Sequence, residues 1–107
     1  MKELNEANFY GTINKDDLCI VDFWAPWCGP CRQIAPTLEE INEQGTKVYK
    51  VNVDENAELV SKLGIGSIPT IVYFKKGVEE ERLTGAKPKD EIMRIISILS
   101  EGMLLNE

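Results

Sequence analysis

The sequence predicts an α/β domain in which a central mixed β-sheet of about four to five strands carries about four helices on its two faces. Three observations lead to this fold class. LCIVDFWA is a nearly continuous apolar run, as in a strand that is buried on both faces, and KVYKVNVD is a second buried strand. A helical pattern lies between these strands, which predicts a parallel βαβ unit. A hairpin pattern and one more helix follow, so antiparallel strands should complete the same sheet.

The first element along the chain is predicted to be a short helix over LNEANFYGTI. Leu4, Phe9 and Ile13 recur there at near-helical spacing. Asn5 precedes most of this pattern and has a side chain that commonly caps helix N-termini. We therefore expect the helix to begin close to Asn5.

Three further helices are predicted from apolar residues at helical spacing, each followed by a glycine that can end it. One begins after Trp27, one covers ENAELVSKLG, and the last covers KPKDEIMRIISILSEG. TIVYF and EEERLTG, joined through KKG, are predicted to form a hairpin. The inward-facing residues are Ile34, Leu38 and Ile41, then Leu59, Val60 and Leu63, then Ile92, Ile95, Ile96 and Leu99, and the glycines are Gly45, Gly64 and Gly102.

Length and charge narrow the class of protein. The 107 residues contain no internal repeat or linker, so a single domain over residues 1–107 is expected. The balance of 12 basic and 18 acidic residues argues against a nucleic-acid or anionic-membrane surface, since both need clustered Lys and Arg. The longest uncharged run, Leu63 to Phe74, has 12 residues, too few to span a bilayer. The polar amino-terminal residues show no signal peptide, so a cytoplasmic location is expected.

Two cysteines, Cys28 and Cys31, lie where the first buried strand passes into a helix. Pro30 suits the first turn of that helix, which places Cys28 at or next to its N-cap. The helix N-terminus stabilises an anion, and therefore a Cys28 thiolate. Cys31 follows one turn later, within reach of a disulfide after small backbone adjustments. The pair can thus open and close with little movement, as thiol exchange requires.

A metal site and an inert staple are the alternatives for this pair. A structural zinc site needs about four Cys or His ligands, but the chain has no His and its third cysteine, Cys19, lies in the preceding strand. A zinc or iron ion shared between two chains is a further alternative. The cytosol keeps thiols reduced, which disfavours a staple. Thiol exchange is the favoured interpretation, and without His any proton transfer must use a carboxylate, lysine, thiol or water.

Six motifs in order identify a resemblance to a known family. VDFWAPWCGPCR, the helix containing Pro36, KVNVDEN, GIGSIPT, FKKG and LTGA resemble the thioredoxin family over roughly Leu4 to Leu99. The resemblance implies a thioredoxin fold and a dithiol–disulfide oxidoreductase. It also implies that Cys28 is the exposed nucleophile that attacks a target disulfide and that Cys31 is the buried thiol that resolves the mixed disulfide. Pro36 corresponds to a proline that bends the active-site helix.

Asp22 matches the carboxylate that this family buries behind its cysteines. A carboxylate in the apolar run CIVDFW is strongly disfavoured unless it has a role. Burial should raise its pKa and make it a proton acceptor for Cys31. The alternative is a carboxylate satisfied by hydrogen bonds at the end of a strand. Lys50 resembles the lysine near that carboxylate, with a solvated charge on the strand as its alternative.

The remote motif SIPT is the other part of the site that the resemblance implies. The family holds the peptide bond before Pro69 in the cis form, facing the two cysteines. There the backbone of Ile68 can pair with an extended segment of a target protein. The partner-binding surface implied by the resemblance consists of Trp27, Gly29, Pro30, Ile68, Pro69, Gly85 and Ala86, and Trp24 is interpreted as packing behind the cysteines.

The resemblance also implies the partners and the direction of electron flow. Oxidising relatives place a His between the cysteines, whereas Gly29 and Pro30 carry no charge, so the pair should be a good electron donor. Its substrates would be disulfide-containing proteins. No nucleotide-binding motif is present, so no bound cofactor is expected. Electrons would come from NADPH through a partner flavoprotein, a thioredoxin reductase, and the chain is expected to be a monomer.

Three features of the sequence depart from the family pattern. Cys19 lies outside the motif, and alternation places it opposite Asp22 as a buried, inert thiol. Arg32 follows CGPC where the family usually has Lys. The first strand should be vestigial, and the final MLLNE has no assigned place.

The rival hypothesis is a binding module whose apolar surface docks a dedicated partner. Retention of Asp22 and both cysteines favours the enzyme.

Overall fold

The computed structural model describes residues 1–102 and contains a five-stranded mixed sheet with the order β1-β3-β2-β4-β5. The predicted α/β class is confirmed, including helices on both faces of the sheet. The strands are β1 (Lys2–Leu4), β2 (Leu18–Trp24), β3 (Lys47–Asn52), β4 (Thr70–Lys75) and β5 (Val78–Thr84). The helices are α1 (Phe9–Ile13), α2 (Gly29–Glu43), α3 (Ala57–Leu63) and α4 (Lys89–Ser100), with a 3-10 turn at Val53–Glu55.

Strand β2 lies in the middle of the sheet and is buried on both faces. It pairs in parallel with β3 and antiparallel with β4. Because successive side chains of a strand alternate between faces, Cys19 joins the apolar cluster covered by α1 and α3. Ile20 joins the cluster under α2 and α4, and Asp22 points to that same face. Cys19 and Asp22 therefore lie on opposite faces, as predicted.

The hairpin turn between β4 and β5 confirms the prediction from KKG. Lys76 and Gly77 both have positive φ, 51° and 81°, as a two-residue type I′ turn requires. A Cβ atom at position 77 would lie 1.9 Å from Oδ1 of Asn14. Glycine therefore suits the backbone conformation there, and any larger residue would also displace the Asn14 side chain.

The start of the chain differs from its prediction. A helix was expected over LNEANFYGTI, but α1 covers only Phe9–Ile13, and Leu4 belongs to β1, opposite Val51 of β3. The side chain of Asn5 accepts hydrogen bonds from the N–H groups of Ala7 and Asn8, so it caps a turn before the helix. Apolar spacing alone could not separate these cases, because Leu4 is buried equally well from a strand. The first strand is short but paired, and MLLNE lies outside the described residues.

Candidate active site

The disulfide-bonded pair Cys28 and Cys31 lies at the N-terminus of α2, with its Cα atoms 5.3 Å apart. Cys28 is the N-cap residue, as expected, and its Sγ accepts a hydrogen bond of 3.2 Å from the N–H of Cys31. Gly29 and Pro30 form the start of the first turn, where the proline nitrogen needs no partner. Free N–H groups at this terminus can stabilise negative charge on Cys28 when the disulfide is reduced.

Neither sulfur is well exposed in this oxidised state. Cys28 is 5% exposed and Cys31 is 2% exposed, so the expectation of an exposed Cys28 is wrong for the disulfide form. The two residues form a small apolar cluster with Ala25, against which Val53 and Ile68 pack. The disulfide directs the Cys28 sulfur toward Cys31, and the packed neighbours cover most of what remains.

Asp22 is buried behind this pair. Only 3% of the residue is exposed, and its Oδ1 atom has no hydrogen-bond partner among the described residues. That finding speaks against the alternative of a carboxylate fully satisfied by hydrogen bonds. Burial raises the pKa of Asp22 from 3.8 to about 7, while the charge of Lys50 acts in the opposite direction. The direction agrees with the expectation from sequence.

Lys50 lies beside Asp22, because the two residues are directly opposite in the pairing of β3 with β2. It is half-buried, and its ammonium nitrogen lies 4.8 Å from the centre of the Trp24 ring. Contact of this kind is a cation–π interaction. Lys50 is therefore not a freely solvated charge, and Trp24 holds it next to the buried carboxyl group.

A cavity of about 100 Å³ connects Asp22 with the resolving side of the pair. Asp22 and Cys31 both line it, so the two groups border the same space. Arg32 also lines the cavity, but its Nη1 donates a 2.8 Å hydrogen bond to the carbonyl of Pro26. The arrangement thus places Cys31 and a carboxyl of raised pKa around one mostly apolar cavity.

The SIPT segment reaches the pair from the other side. The Ile68–Pro69 peptide bond is cis, as expected, and Ile68 packs against the Cys28–Cys31 cluster. The N–H of Gly85 donates a 2.8 Å hydrogen bond to the carbonyl of Pro69, which ties the loop after β5 to this segment. Ala86 follows on that loop and is exposed, and nothing places it directly against the cysteines.

Trp27 is the most exposed large apolar residue near the pair, with 66% of its surface accessible. Its Nε1 donates a 2.8 Å hydrogen bond to Asp54, which fixes the ring beside the disulfide. Asp54 belongs to the motif KVNVDEN, but sequence reasoning assigned it no role. The motif itself was the only available signal, since the contact joins residues that are far apart in the chain.

Residues 1–102 show neither a metal-binding cluster nor a helix able to cross a membrane. Nowhere in that range do three or more His, Cys, Asp or Glu side chains gather so that they could hold a metal ion. None of the helices in the same range has the length and apolar character that crossing a membrane requires.

Comparison with known proteins gives a consistent result. The family model described as thioredoxin matches residues 1–98. The thioredoxin of Alicyclobacillus acidocaldarius is 49% identical over 92 residues, which are 83% of this chain and 88% of that protein. The thioredoxin of Listeria monocytogenes is 42% identical over 100 residues, 91% of this chain and 96% of that protein. The solved structure of Plasmodium falciparum thioredoxin matches with a TM-score of 0.83 and 37% identity, covering 91% of this chain and 97% of that one.

Proposed function

The chain belongs to the thioredoxin family and is a thiol–disulfide oxidoreductase, and on that premise we propose that it reduces disulfide bonds of cytosolic proteins through Cys28 and Cys31. One observation supports this most directly. Cys28 caps the N-terminus of α2, and Cys31 in the first turn shares a cavity with the buried Asp22. A docking surface would need neither the carboxyl group nor the second thiol.

The first step is attack by the Cys28 thiolate on one sulfur of a target disulfide. A bond forms between Cys28 and that sulfur, the target S–S bond breaks, and the other target sulfur leaves as a thiolate. The N-terminus of α2 favours the attacking thiolate through its free N–H groups. The uncharged Gly29 and Pro30 add nothing further to the stability of the reduced form, which keeps the pair a good electron donor.

The second step releases the target. The Cys31 thiol gives its proton to the Asp22 carboxylate, and the resulting thiolate attacks the Cys28 sulfur. The Cys28–Cys31 bond forms, the mixed disulfide breaks, and the second target sulfur leaves as a thiolate that is protonated from solvent. The target has then gained two electrons and the cysteine pair has lost two. Lys50 favours the charged form of Asp22 and so moderates its pKa.

The surface around the pair would hold an extended segment of the target. Ile68 packs on the cysteine cluster, and its backbone would pair with a strand-like segment of the target. Trp27 supplies exposed apolar area beside it. The proposed partner-binding residues are Trp27, Gly29, Pro30, Ile68, Pro69, Gly85 and Ala86.

The supply of electrons completes the proposal. The protein would act in the cytoplasm as a monomer without a bound cofactor, and a flavoprotein thioredoxin reductase would transfer electrons to it from NADPH. We expect NADPH to be consumed when the chain, such a reductase and insulin are mixed, and omission of any one of the three should stop its consumption. NADPH absorbance measures the rate. A different result would be that the protein reduces insulin when dithiothreitol supplies the electrons but not when any flavoprotein reductase does. That result would contradict the proposed source of electrons.

The same assay tests the partner-binding surface. Trp27→Ala should raise the KM for insulin about fivefold, because exposed aromatic anchors dominate protein contacts, and should leave the reduction of a small aromatic disulfide unchanged. Tyr10→Ala is the matched control, since Tyr10 is an exposed aromatic residue that does not border the cysteine pair. Equal effects of Trp27→Ala on both substrates would argue against a docking role.

A further inference from the structure

The side chain of Met1 borders the cavity that Asp22 and Cys31 share. It forms part of the cavity wall, and only 5% of it is exposed. It also packs against the apolar cluster beneath α2 and α4. The amino nitrogen of Met1 lies 2.9 Å from Oε1 of Glu39, which holds the first residue against α2. Sequence reasoning gave Met1 no role, because its contact with the site depends on the tertiary fold.

Within residues 1–102, the other walls give Oδ1 of Asp22 no hydrogen-bond partner, although Lys50 lines the same cavity. Trp24 and Ala35 contribute mostly apolar surface, and the Arg32 guanidinium donates to the Pro26 carbonyl. The cavity volume of about 100 Å³ is enough for water to enter. Met1 is one of the apolar side chains that border this space, so its bulk affects how freely water reaches Oδ1 of Asp22.

We propose that Met1 is a lid that restricts the entry of water to the cavity between Asp22 and Cys31, and that it acts as a positioning residue for proton transfer between them. This role rests on the proposed function of Asp22. Met1 suits it because an unbranched thioether side chain with three rotatable bonds adapts to irregular apolar space. The pairing of β1 with β3 begins at Lys2, so Met1 can move without breaking the strand.

Removal of the lid should change the solvation of Asp22 more than its other surroundings. Lys50 on β3 lies directly opposite Asp22, and Cys31 and Arg32 on α2 line the same cavity. From β4, the residue paired with Asp22 is the uncharged Ile71. Glu39 lies further out, beside the Met1 amino group. These groups stay in place when the Met1 side chain is shortened, whereas water gains access to the carboxylate and stabilises its charge.

The test uses the full chain with substitutions at position 1, prepared by removing a cleavable tag so that no residue precedes that position. Met1→Ala opens the cavity, and Met1→Leu keeps an apolar side chain of similar volume. Lys2→Ala is the matched control on the same strand, because Lys2 is exposed and is not part of the cavity wall. The pKa of Asp22 is measured in the oxidised protein by NMR titration of its carboxyl carbon, assigned with Asp22→Asn.

Met1→Ala should lower the pKa of Asp22 by about one pH unit, whereas Met1→Leu and Lys2→Ala should leave it unchanged. A general effect of strand packing would move the pKa in Lys2→Ala as well. If Asp22 titrates at the same pH in Met1→Ala and in the unsubstituted chain, the lid is disproved.

The pH profile of mixed-disulfide release, measured on the same variants, separates this proposal from the proposed function. The profile should move to lower pH together with the pKa of Asp22 in Met1→Ala. A lowered pKa with an unmoved profile would uphold the lid and refute Asp22 as the proton acceptor.

Discussion

Replacement of Cys28 by serine is expected to reduce insulin disulfide reduction to the rate of dithiothreitol alone, a loss of at least about a hundredfold. Among the described cysteines, only Cys28 occupies the N-cap position of a helix, where N–H groups stabilise a thiolate. A serine hydroxyl at the same N-cap remains un-ionised near neutral pH and cannot displace a target thiolate. Turbidity of the precipitating insulin B chain measures the rate.

Cys19→Ala is the matched control for this prediction. Cys19 is fully buried on the opposite face of the sheet, and burial raises the pKa of its thiol to about 12. It therefore carries no thiolate at neutral pH and should be dispensable. If Cys28→Ser keeps its activity, or if a folded Cys19→Ala variant loses as much activity as Cys28→Ser, the assignment of the nucleophile is wrong.

Asp22→Asn is expected to raise the free energy of unfolding by up to about 4 kcal/mol at about pH 8, and by almost nothing at about pH 4. Burial raises the pKa of the Asp22 carboxyl in the folded protein from 3.8 to about 7, so the folded state holds this proton more tightly than the unfolded chain does. The contribution of the protonated carboxyl to the free energy of unfolding is fully present below about pH 4 and is lost as the pH rises through about 7. Asparagine stays neutral at every pH and therefore keeps this contribution.

Denaturant unfolding of the oxidised protein across this pH range measures the difference. Asp17→Asn serves as the control because the Asp17 side chain is 76% exposed, so its substitution should not change the pH dependence. Parallel stability curves for Asp22→Asn and the unsubstituted chain would contradict a buried carboxyl of raised pKa. The same variant should also release mixed disulfides more slowly, since its amide cannot accept the Cys31 proton. A side chain that lowers the stability of the protein but speeds its reaction is expected at a functional site.

The architecture could be predicted from local patterns because most elements combine consistent signals. The apolar run of β2, the helical spacing in α2 and α4, and the KKG between two strand patterns each indicate the element that the structure contains. The amino-terminal segment could not be predicted in this way, because Leu4 satisfies both a helical and a strand pattern. Its pairing with β3 decides between them, and that contact is between distant parts of the chain.

The site could be predicted in part. Cys28, Cys31 and Asp22 lie within ten residues of one another, so their chemistry could be inferred from spacing and burial. Pro69 required a resemblance to a known family, since nothing local distinguishes a cis bond. The contact of Met1 with the cavity and the burial of the Cys28 sulfur are properties of packing, and no local pattern of residues carries them.

The central claim is that Cys28 attacks the target and Cys31 releases it, and trapping the intermediate tests this most directly. Cys31→Ser is incubated with an oxidised target peptide, and the intact mass of the protein is measured before and after dithiothreitol. We predict one covalent adduct per chain, attached at Cys28 by peptide mapping and removed by the reductant. Absence of an adduct, attachment at Cys19, or an equally abundant adduct on Cys28→Ser would contradict the claim.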